Sequence, residues 1–438
     1  MSSIIIIGAG ASGLQAARRL SEAGWQVTVL EAAAGPGGRI FGLQPAGFSV
    51  PVEGGAEFIH GELPLSLALA REAGVGLEPV RAQMTRVSGA SGTGGEPSRS
   101  NAEGAAGDDF EGVKGSDWGE LMQRMTELTE DMPIADFLSI HFAGQRYSRL
   151  RESVQRFAEG YDLADLHRVS TRALHKEWER EGDDEEYRPV GGYGRMVDWL
   201  AEECRRKGAE LYFLSPVVEL RWQKGRVEVE TADGRVFTAG AVVITVSLGV
   251  LAAGSLRFSP ALPAVEAAVR QLGYGSVIKI LLEFKSAFWL EKKHKGQTLF
   301  VLSDQEVPTW WTQAAEGSRV ITGWLAGGGM KRFHDLDEAG RLGSCLRSLA
   351  AIFSRDVEGL RRELVASLVL DWAGAPFVRG GYSFETVEAA EARAVLSRPI
   401  DNTLYFCGEA LYDGMAPGTV EAAFSSGQEV AERIIAQS

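Results

Sequence analysis

The stretch that decides the fold reads Ser3-Ile4-Ile5-Ile6-Ile7-Gly8-Ala9-Gly10-Ala11-Ser12-Gly13. Its run of isoleucines is typical of a buried strand, and the glycines that follow indicate a tight turn. Helical spacing over Ala11–Ala23 ends at Gly24, and Trp25–Leu30 alternates as a second strand closed by Glu31. Strand, turn, helix and strand in this order predict a βαβ unit and therefore an α/β fold of the Rossmann type.

The glycine turn has the spacing of a dinucleotide-binding site. Gly8 permits the tight turn, Gly10 lets the backbone approach a pyrophosphate, and Gly13 allows close packing of helix on strand. The helix N-terminus at Ala11 and Ser12 offers unpaired N–H groups to an anion. Glu31 has the position of the acid that binds ribose hydroxyls, and the neighbouring Ala32 is predicted to line the same site.

Composition excludes several classes of protein. The 438 residues include 45 Lys plus Arg and 59 Asp plus Glu, a formal net charge of −14, which argues against nucleic-acid binding. The three cysteines are far apart and odd in number, which excludes a disulfide framework and fits a reducing cytoplasm. The six histidines show no ligand spacing, so no metal is predicted. No apolar run approaches the roughly 18 residues of a membrane span, and no signal peptide is recognised.

The rest of the chain alternates helical and strand-rich stretches. Gly, Ser, Asn and Asp dominate residues 88–116 and predict a flexible surface loop. Trp118 to Trp178 is predicted to be mostly helical, and the acidic run Glu179–Glu186 an exposed connection. Further runs predict strands and helices, as follows: strands at Leu211–Phe213, Val217–Trp222, Val227–Thr231, Ala241–Val246, Val277–Phe284, Gln297–Leu302, Val320–Ala326, Glu363–Asp371 and Thr403–Cys407; helices at Glu338–Ser354 and Thr419–Ala436.

A second glycine cluster, Gly35-Pro36-Gly37-Gly38-Arg39, follows Glu31 and suits a large cofactor such as FAD. With it the sequence resembles the flavin amine oxidase family, which includes the monoamine and polyamine oxidases and the lysine-specific histone demethylases. The resemblance continues in order along the chain, in the segments Glu53–Gly61, Pro189–Gly194, Leu214–Val217, Val243–Leu251, Leu272–Lys279, Phe288-Trp289, Phe406–Glu409 and Gly418–Ala423.

The resemblance implies two interleaved domains. A Rossmann-like FAD-binding domain is expected over 1–79, 190–268 and 376–438. An α+β substrate-binding domain, with a mixed sheet flanked by helices, is expected over 80–189 and 269–375. The implied cofactor is FAD, and its predicted contacts are Gly8, Gly10, Ala11, Ser12, Gly13, Glu31, Ala32, Gly38, Arg39, Gly55, Ala56, Glu57, Val217, Trp372, Gly408, Glu409, Thr419 and Val420.

Four residues are predicted to act in catalysis. Lys279 lies mid-strand among apolar residues, and a buried ammonium needs a partner; the matching lysine of the family assists flavin reoxidation by O2. Tyr382 resembles the tyrosine that faces the flavin, whereas Thr419 stands where monoamine oxidases have a second tyrosine. His60 falls where polyamine oxidases place a polar residue in the substrate tunnel.

The implied reaction is amine oxidation: hydride passes from the α-carbon to the flavin, the imine hydrolyses, and O2 is reduced to H2O2. Gly381 stands where monoamine oxidases carry the cysteine that binds FAD, so non-covalent FAD is predicted. The expected partners are a small amine and O2, without nucleic acid or membrane, and no oligomeric state follows from the sequence. The alternatives are an L-amino-acid oxidase, a protoporphyrinogen or carotenoid oxidoreductase, or a flavin-bound scaffold without turnover.

Overall fold

The computed structural model describes residues 2–80, 82–88, 98–101, 113, 115–179, 185–290, 298–313 and 318–437. Its helices are α1 Ala11–Glu22, α2 Pro64–Glu72, α3 Gly115–Thr126, α4 Ile134–His141, α5 Ser148–Gly160, α6 Thr171–Trp178, α7 Gly194–Arg206, α8 Leu248–Ala252, α9 Pro263–Gln271, α10 Gly329–His334, α11 Glu338–Phe353, α12 Val357–Glu363, α13 Ala389–Leu396 and α14 Val420–Ala436.

The strands in these ranges are β1 Ser3–Ile7, β2 Gln26–Leu30, β3 Gly42–Leu43, β4 Val52–Glu53, β5 Ile59–His60, β6 Leu77–Pro79, β7 Ala82–Ser88, β8 Ser98–Asn101, β9 Glu186–Pro189, β10 Glu210–Tyr212, β11 Val217–Gln223, β12 Arg226–Thr231, β13 Val236–Ala239, β14 Ala241–Ile244, β15 Arg257–Ser259, β16 Gly273–Tyr274, β17 Val277–Phe284, β18 Thr298–Ser303, β19 Thr309–Thr312, β20 Val320–Ala326, β21 Leu364–Asp371, β22 Ser383–Phe384 and β23 Leu404–Phe406.

A parallel five-stranded sheet in the order β10-β2-β1-β14-β23 contains the predicted βαβ unit. Side chains alternate across it, so Ile4 and Ile6 face α1, α7 and α14, while Ile5 and Ile7 face α9 and α13. Helices on both faces bury the central strands β1 and β14, as their continuous apolar sequences require. The sheet therefore has the predicted Rossmann-like α/β architecture, with strands from three separate parts of the chain.

The second large sheet is mixed and has seven strands in the order β21-β17-β20-β19-β18-β7-β8. Ile278, Ile280 and Leu282 point to α10, α11 and α12, whereas Lys279 and Leu281 point to the opposite face. The two sheets confirm the predicted fold class. The exact division at residues 79, 189, 268 and 375 stays a prediction.

The prediction of one loop over 88–116 is wrong in part. Ser98–Asn101 pairs antiparallel with Thr85–Ser88, and α3 begins at Gly115. Backbone hydrogen bonds to β7 form a strand whatever the side-chain composition, which is why a composition rule missed it. Residues 89–97, 102–112 and 114 of that loop lie outside the described residues, as do 180–184 of the acidic run.

The structure tests two other predictions about the chain. The stretch from Trp118 to Trp178 is mostly helical, in α3, α4, α5 and α6, as predicted. Glu186, however, belongs to β9 and pairs with β5, so the end of the acidic run is a strand. Within the described ranges, no helix has the length and apolar character needed to cross a membrane.

Candidate functional site

A cavity of about 3230 Å³ lies between the two sheets. Nearly all of the predicted cofactor and catalytic residues line it, although they come from distant parts of the chain. Those on its walls are Gly8, Gly10, Ala11, Ser12, Glu31, Ala32, Gly38, Arg39, Gly55, Ala56, Glu57, His60, Val217, Lys279, Trp372, Tyr382, Gly408, Glu409, Thr419 and Val420. The predicted residue that does not line the cavity is Gly13.

Gly13 lies behind the glycine turn, where a Cβ would come within 2.0 Å of the Gly8 carbonyl oxygen. Gly10, in contrast, faces open space, since its nearest neighbour to a Cβ would be the Gly37 oxygen at 3.9 Å. Gly8 has φ +109°, a conformation that disfavours other residues. The turn thus has a packing glycine behind it and an open glycine in front, as a backbone cradle for a diphosphate requires.

The N-termini of α1 and α14 both open on this cavity. Helix α1 follows Gly10, whose position has no side-chain cap, so its first N–H groups have no partner from a cap. Helix α14 begins after Thr419, whose Oγ1 accepts a hydrogen bond from Ala422 N at 3.2 Å and donates one to Ala416 O at 2.7 Å. Two helix N-termini give the cavity a positive potential that suits an anionic cofactor.

Glu31 lies at the end of β2 and is buried on the cavity wall. Its carboxylate accepts hydrogen bonds from Ala9 N at 2.6 Å and from Ala33 N at 2.8 Å. Burial raises the pKa of this carboxyl. Because each carboxylate oxygen has two lone pairs, Glu31 retains acceptor capacity toward a hydroxyl group in the cavity.

Arg39 joins the second glycine cluster to the C-terminal part of the chain. Its Nη1 donates to Glu409 Oε1 at 2.7 Å and to Gly381 O at 2.8 Å, while Glu409 Oε2 accepts from Ser383 Oγ at 2.6 Å. Gly408 N donates to Ser426 Oγ at 3.0 Å. These bonds hold the predicted cofactor contacts Arg39, Gly408 and Glu409 around one end of the cavity.

The segment between β4 and β5 runs along the cavity and contacts both sheets. Ala56 N donates to Arg39 O at 3.0 Å, and a Cβ on Gly55 would come within 1.9 Å of that same oxygen. Trp372, which follows β21, donates from its indole N–H to Gly54 O at 3.1 Å. Val217 lines the cavity where β11 begins. The backbone of this segment therefore packs closely into the cavity wall. This close packing leaves space in the cavity for a large planar ligand.

Lys279 is 1% exposed and points into the cavity wall. Its ammonium Nζ lies 3.0 Å from Glu57 Oε2 and donates to Gly55 O at 3.0 Å. Glu57 also contacts Arg188 Nη2 at 2.9 Å and accepts from Trp311 Nε1 at 3.0 Å. One buried anion thus stands between two buried cations, which compensates the desolvation of all three.

The pKa values of two carboxyls respond to this cluster in opposite directions. Burial disfavours the charged form of Glu57, but Lys279 and Arg188 outweigh it and hold the pKa of Glu57 below its usual value. Burial and the nearby charge of Glu57 raise the pKa of Glu53 to about 7. Glu53 Oε1 accepts from Tyr193 N at 3.2 Å. Two acids four positions apart are therefore ionised to different extents at neutral pH.

Tyr382 lies half-buried on the cavity wall, where its hydroxyl donates to the Tyr161 carbonyl oxygen just after α5. Burial, with the nearby Tyr161 and Asp162, raises the pKa of Tyr382 well above its usual value, so the phenol stays protonated. On a neighbouring part of the wall, Trp324 Nε1 donates to Gly160 O at 2.8 Å. Aromatic rings thus line the space beside Tyr382.

His60 lies at the end of β5, with its side chain 40% exposed. Its Nδ1 is 2.8 Å from Glu186 Oε1 on the facing strand β9. Burial raises the pKa of Glu186, but the hydrogen bond and the charge of His60, together with Arg188, lower it by more, so the pKa lies below its usual value. The partner of His60 is therefore an ionised carboxylate at neutral pH.

Several residues in or beside the cavity were not predicted from the sequence. Glu186 and Arg188 lie on β9, which pairs with β5, and Trp311 lies on β19, which β20 separates from β17. This packing alone brings the three residues to His60 and Glu57. The one local signal was Arg188 itself, a charged residue directly before the Pro189–Gly194 segment. Among the residues that the structure describes, no group of three or more His, Cys, Asp or Glu could hold a metal ion.

The cavity fits the implied cofactor by three independent features. Gly8, Gly10 and Gly37 leave a side-chain-free cradle at the N-terminus of α1. Uncapped helical N–H groups face the cavity there, as a diphosphate needs. The cavity continues from this cradle past Gly55 to Lys279 and Tyr382, so one extended cofactor could reach both ends. The residues present therefore fit a dinucleotide that carries a flavin.

Comparison with known proteins agrees with this geometry. Polyamine oxidase 2 of Arabidopsis thaliana is 29% identical, in a match that covers 98% of this chain and 87% of that protein. Lysine-specific histone demethylase 1 homolog 3 of the same plant is 27% identical over 99% of this chain and 30% of its own length. The chain spans 30% to 53% of the length of three demethylase relatives.

A solved structure of a putrescine oxidase bound to putrescine has the same fold. It superposes with a TM-score of 0.82 at 20% identity, and the match covers 99% of both chains. The family model described as flavin containing amine oxidoreductase matches residues 11–435. Since that match covers nearly the whole chain, the chain belongs to the flavin containing amine oxidoreductase family.

Proposed function

We propose that this protein is an amine oxidase that binds FAD non-covalently and passes electrons from a small amine to O2. The observation that carries the proposal is the single cavity that joins the glycine cradle of α1 to Lys279 and Tyr382. The overall change is an amine plus O2 and water to an aldehyde, ammonia or a smaller amine, and H2O2. The flavin, when bound, supplies the two-electron acceptor for the hydride of the amine α-carbon.

Each part of the chain has a separate task in this proposal. Gly8, Gly10 and the α1 N-terminus would hold the diphosphate, and Glu31 would accept hydrogen bonds from the ribose hydroxyls. The N-terminus of α14 at Thr419 and Val420 would stabilise negative charge on the cofactor. Tyr382 and the nearby tryptophans form an aromatic wall that orients the amine nitrogen. Lys279 keeps a positive charge where O2 is reduced.

The positions of the cysteines support the proposal of non-covalent binding. All three, Cys204, Cys345 and Cys407, are buried and within the described ranges, and none lines the cavity. Gly381 has no side chain, and a Cβ there would come within 2.5 Å of Leu163 Cδ1. The chain therefore presents no thiol that could form a bond to the cofactor.

A panel of amines tests the proposed function. The purified yellow protein is mixed anaerobically with monoamines, diamines, polyamines and amino acids, and the flavin band near ~450 nm is followed. We expect at least one amine to bleach the band and air to restore it with formation of H2O2. A protein that stays yellow with every amine is not an amine oxidase, and bleaching by amino acids alone would favour the L-amino-acid oxidase alternative.

A further inference from the structure

The pair formed by His60 and Glu186 is held by the register of two strands. Ile59 pairs with Tyr187 and His60 pairs with Glu186 in the antiparallel ladder of β5 and β9. Directly opposed residues of such a ladder have their side chains on the same face, within contact distance. The 2.8 Å contact between His60 Nδ1 and Glu186 Oε1 is therefore built into the fold.

Ionisation of Glu186 decides which nitrogen of His60 carries a proton. An ionised carboxylate can only accept hydrogen bonds, so Nδ1 is the donor. In the neutral imidazole the second nitrogen, Nε2, is then an acceptor with a free lone pair. The pair has the arrangement in which a carboxylate orients an imidazole that acts as a base.

A chain of alternating charges leads from this pair into the buried wall. Lys279 contacts Glu57 at 3.0 Å, Glu57 contacts Arg188 at 2.9 Å, and the charge of Arg188 acts on Glu186 two residues before it on β9. Glu186 in turn contacts His60. Each of these charged groups lies next to a group of opposite charge, and a positively charged His60 would continue this alternation.

The surroundings of His60 connect the cavity with solvent. Its ring packs at 6.0 Å from Phe58, and Phe58 lies 6.2 Å from the Trp311 ring that contacts Glu57. Glu62 and Glu185 line the cavity on either side, and Glu185 also accepts a hydrogen bond from Tyr187 at 2.7 Å. The half-exposed imidazole can therefore receive a proton inside the cavity and release it to water.

An amine substrate needs such an acceptor. An alkylamine is an ammonium ion at neutral pH, with a pKa near ~10.4. Only the neutral amine has the lone pair that assists removal of hydride from the α-carbon, so one proton must leave first. Glu57 is a weak base because its pKa is lowered, and Tyr382 stays protonated because its pKa is raised. Lys279 is held as the cationic partner of Glu57.

We propose that His60 accepts the proton that an alkylammonium substrate loses in the cavity, and that Glu186 is the positioning residue that holds the imidazole for this task. The step is a proton transfer without redox change: the ammonium N–H bond breaks, an Nε2–H bond forms, and the products are a neutral amine and an imidazolium ion. This inference rests on the proposed function as an amine oxidase.

The variants His60→Gln and Glu186→Gln test the proposal. Their kcat/KM for an amine that the wild-type protein oxidises is measured from pH 6 to pH 10. General acid–base catalysis is worth about 10²- to 10⁴-fold, so we expect His60→Gln to lose at least ~30-fold at pH 7. The loss should shrink to about threefold or less near pH 10, where the free amine is abundant in water. Glu186→Gln should show a smaller loss with the same pH trend.

A second histidine provides the matched control. His334 Nε2 lies 3.0 Å from Asp371 Oδ2, a similar pair that does not line the cavity, so His334→Gln should retain wild-type kinetics at every pH. Flavin content and thermal midpoint establish that each variant is folded. An equal loss at all pH values would mean that His60 is structural, and no loss would mean that another group takes the proton; either result overturns the inference while the proposed function stands. If the wild-type protein oxidised none of the amines, both the proposed function and the inference about His60 would be wrong.

Discussion

The ammonium of Lys279 lies 3.0 Å from the carboxylate of Glu57, although the two residues are 222 positions apart in the chain. The contact joins β17 of the seven-stranded sheet to the segment before β5. A lysine held on a cavity wall by a buried carboxylate partner has a fixed position. This relationship makes the predicted role of Lys279 testable apart from its role in stability.

Replacement of Lys279 by Met should slow reoxidation of the reduced flavin by O2 about 10- to 100-fold, because the variant lacks the positive charge that stabilises reduced oxygen. Reduction by the amine should change much less. Stopped-flow mixing of the anaerobically reduced protein with O2 measures the reoxidation rate directly. Glu57 keeps Arg188 as a partner in this variant, so the protein should fold. Lys207→Met, on the surface, serves as the control, and equal reoxidation rates would refute the role.

Replacement of Glu57 by Gln should destabilise the protein by about 3 kcal/mol at pH 7, since Lys279 and Arg188 would lose their shared anion. The pKa of Glu57 is lowered in the folded state, so its contribution to stability is present above the usual pKa of a glutamate and is lost as the pH falls through the folded value. The difference in unfolding free energy between the wild-type protein and Glu57→Gln should therefore become smaller below about pH 4. Urea unfolding at pH 7 and at about pH 3 measures the change; an equal difference in unfolding free energy at both pH values would contradict the ionised state.

Replacement of Glu53 by Gln should have the opposite pH dependence. The pKa of Glu53 is raised to about 7 in the folded protein. As the pH rises, the unfolded chain ionises first, so the wild-type protein loses stability between about pH 4.3 and 7. A rise from about 4.3 to about 7 corresponds to at most about 3.7 kcal/mol. Between about pH 4 and pH 8, the unfolding free energy should therefore decline more in the wild-type protein than in Glu53→Gln, by up to this amount. Parallel curves would show that Glu53 ionises normally.

Replacement of Gly10 by Ala should weaken FAD binding about tenfold or more without unfolding the protein. Its Cβ would enter the open side of the cradle, where the nearest protein atom is 3.9 Å away. A diphosphate at the α1 N-terminus would meet this methyl group. Fluorescence titration of the apoprotein with FAD gives the dissociation constant. Gly35→Ala, which adds a methyl group in open space off the cavity, is the control, and equal affinity of the two variants would exclude the cradle as the diphosphate site.

Acid precipitation should release the flavin into the supernatant. No cysteine lines the cavity, and Gly381 offers no side chain to the cofactor. The protein is treated with trichloroacetic acid, and the absorbance of pellet and supernatant is compared. A yellow pellet after washing would indicate a covalent bond and contradict the prediction of non-covalent FAD.

The sequence determined the features that depend on neighbours in the chain. The isoleucine run, the glycine turn and Glu31 are adjacent or one helix apart, so their spacing alone predicted β1, α1, β2 and the cradle. Motifs in order along the chain predicted the family, and alternation predicted that Lys279 points away from Ile278 and Ile280. The same local rules failed for β8, because its partner strand rather than its composition makes it a strand.

Tertiary structure alone decided which charges meet in the cavity. Glu57 contacts Arg188 and Lys279, and His60 contacts Glu186 across 126 positions, through strands whose pairing no spacing rule specifies. Burial then raises the pKa of Glu53, whereas the charges of Lys279 and Arg188 outweigh burial and lower the pKa of Glu57 on the same segment. Residue types and local periodicity are properties of the sequence, whereas distance, desolvation and charge pairing arise only when distant segments pack together.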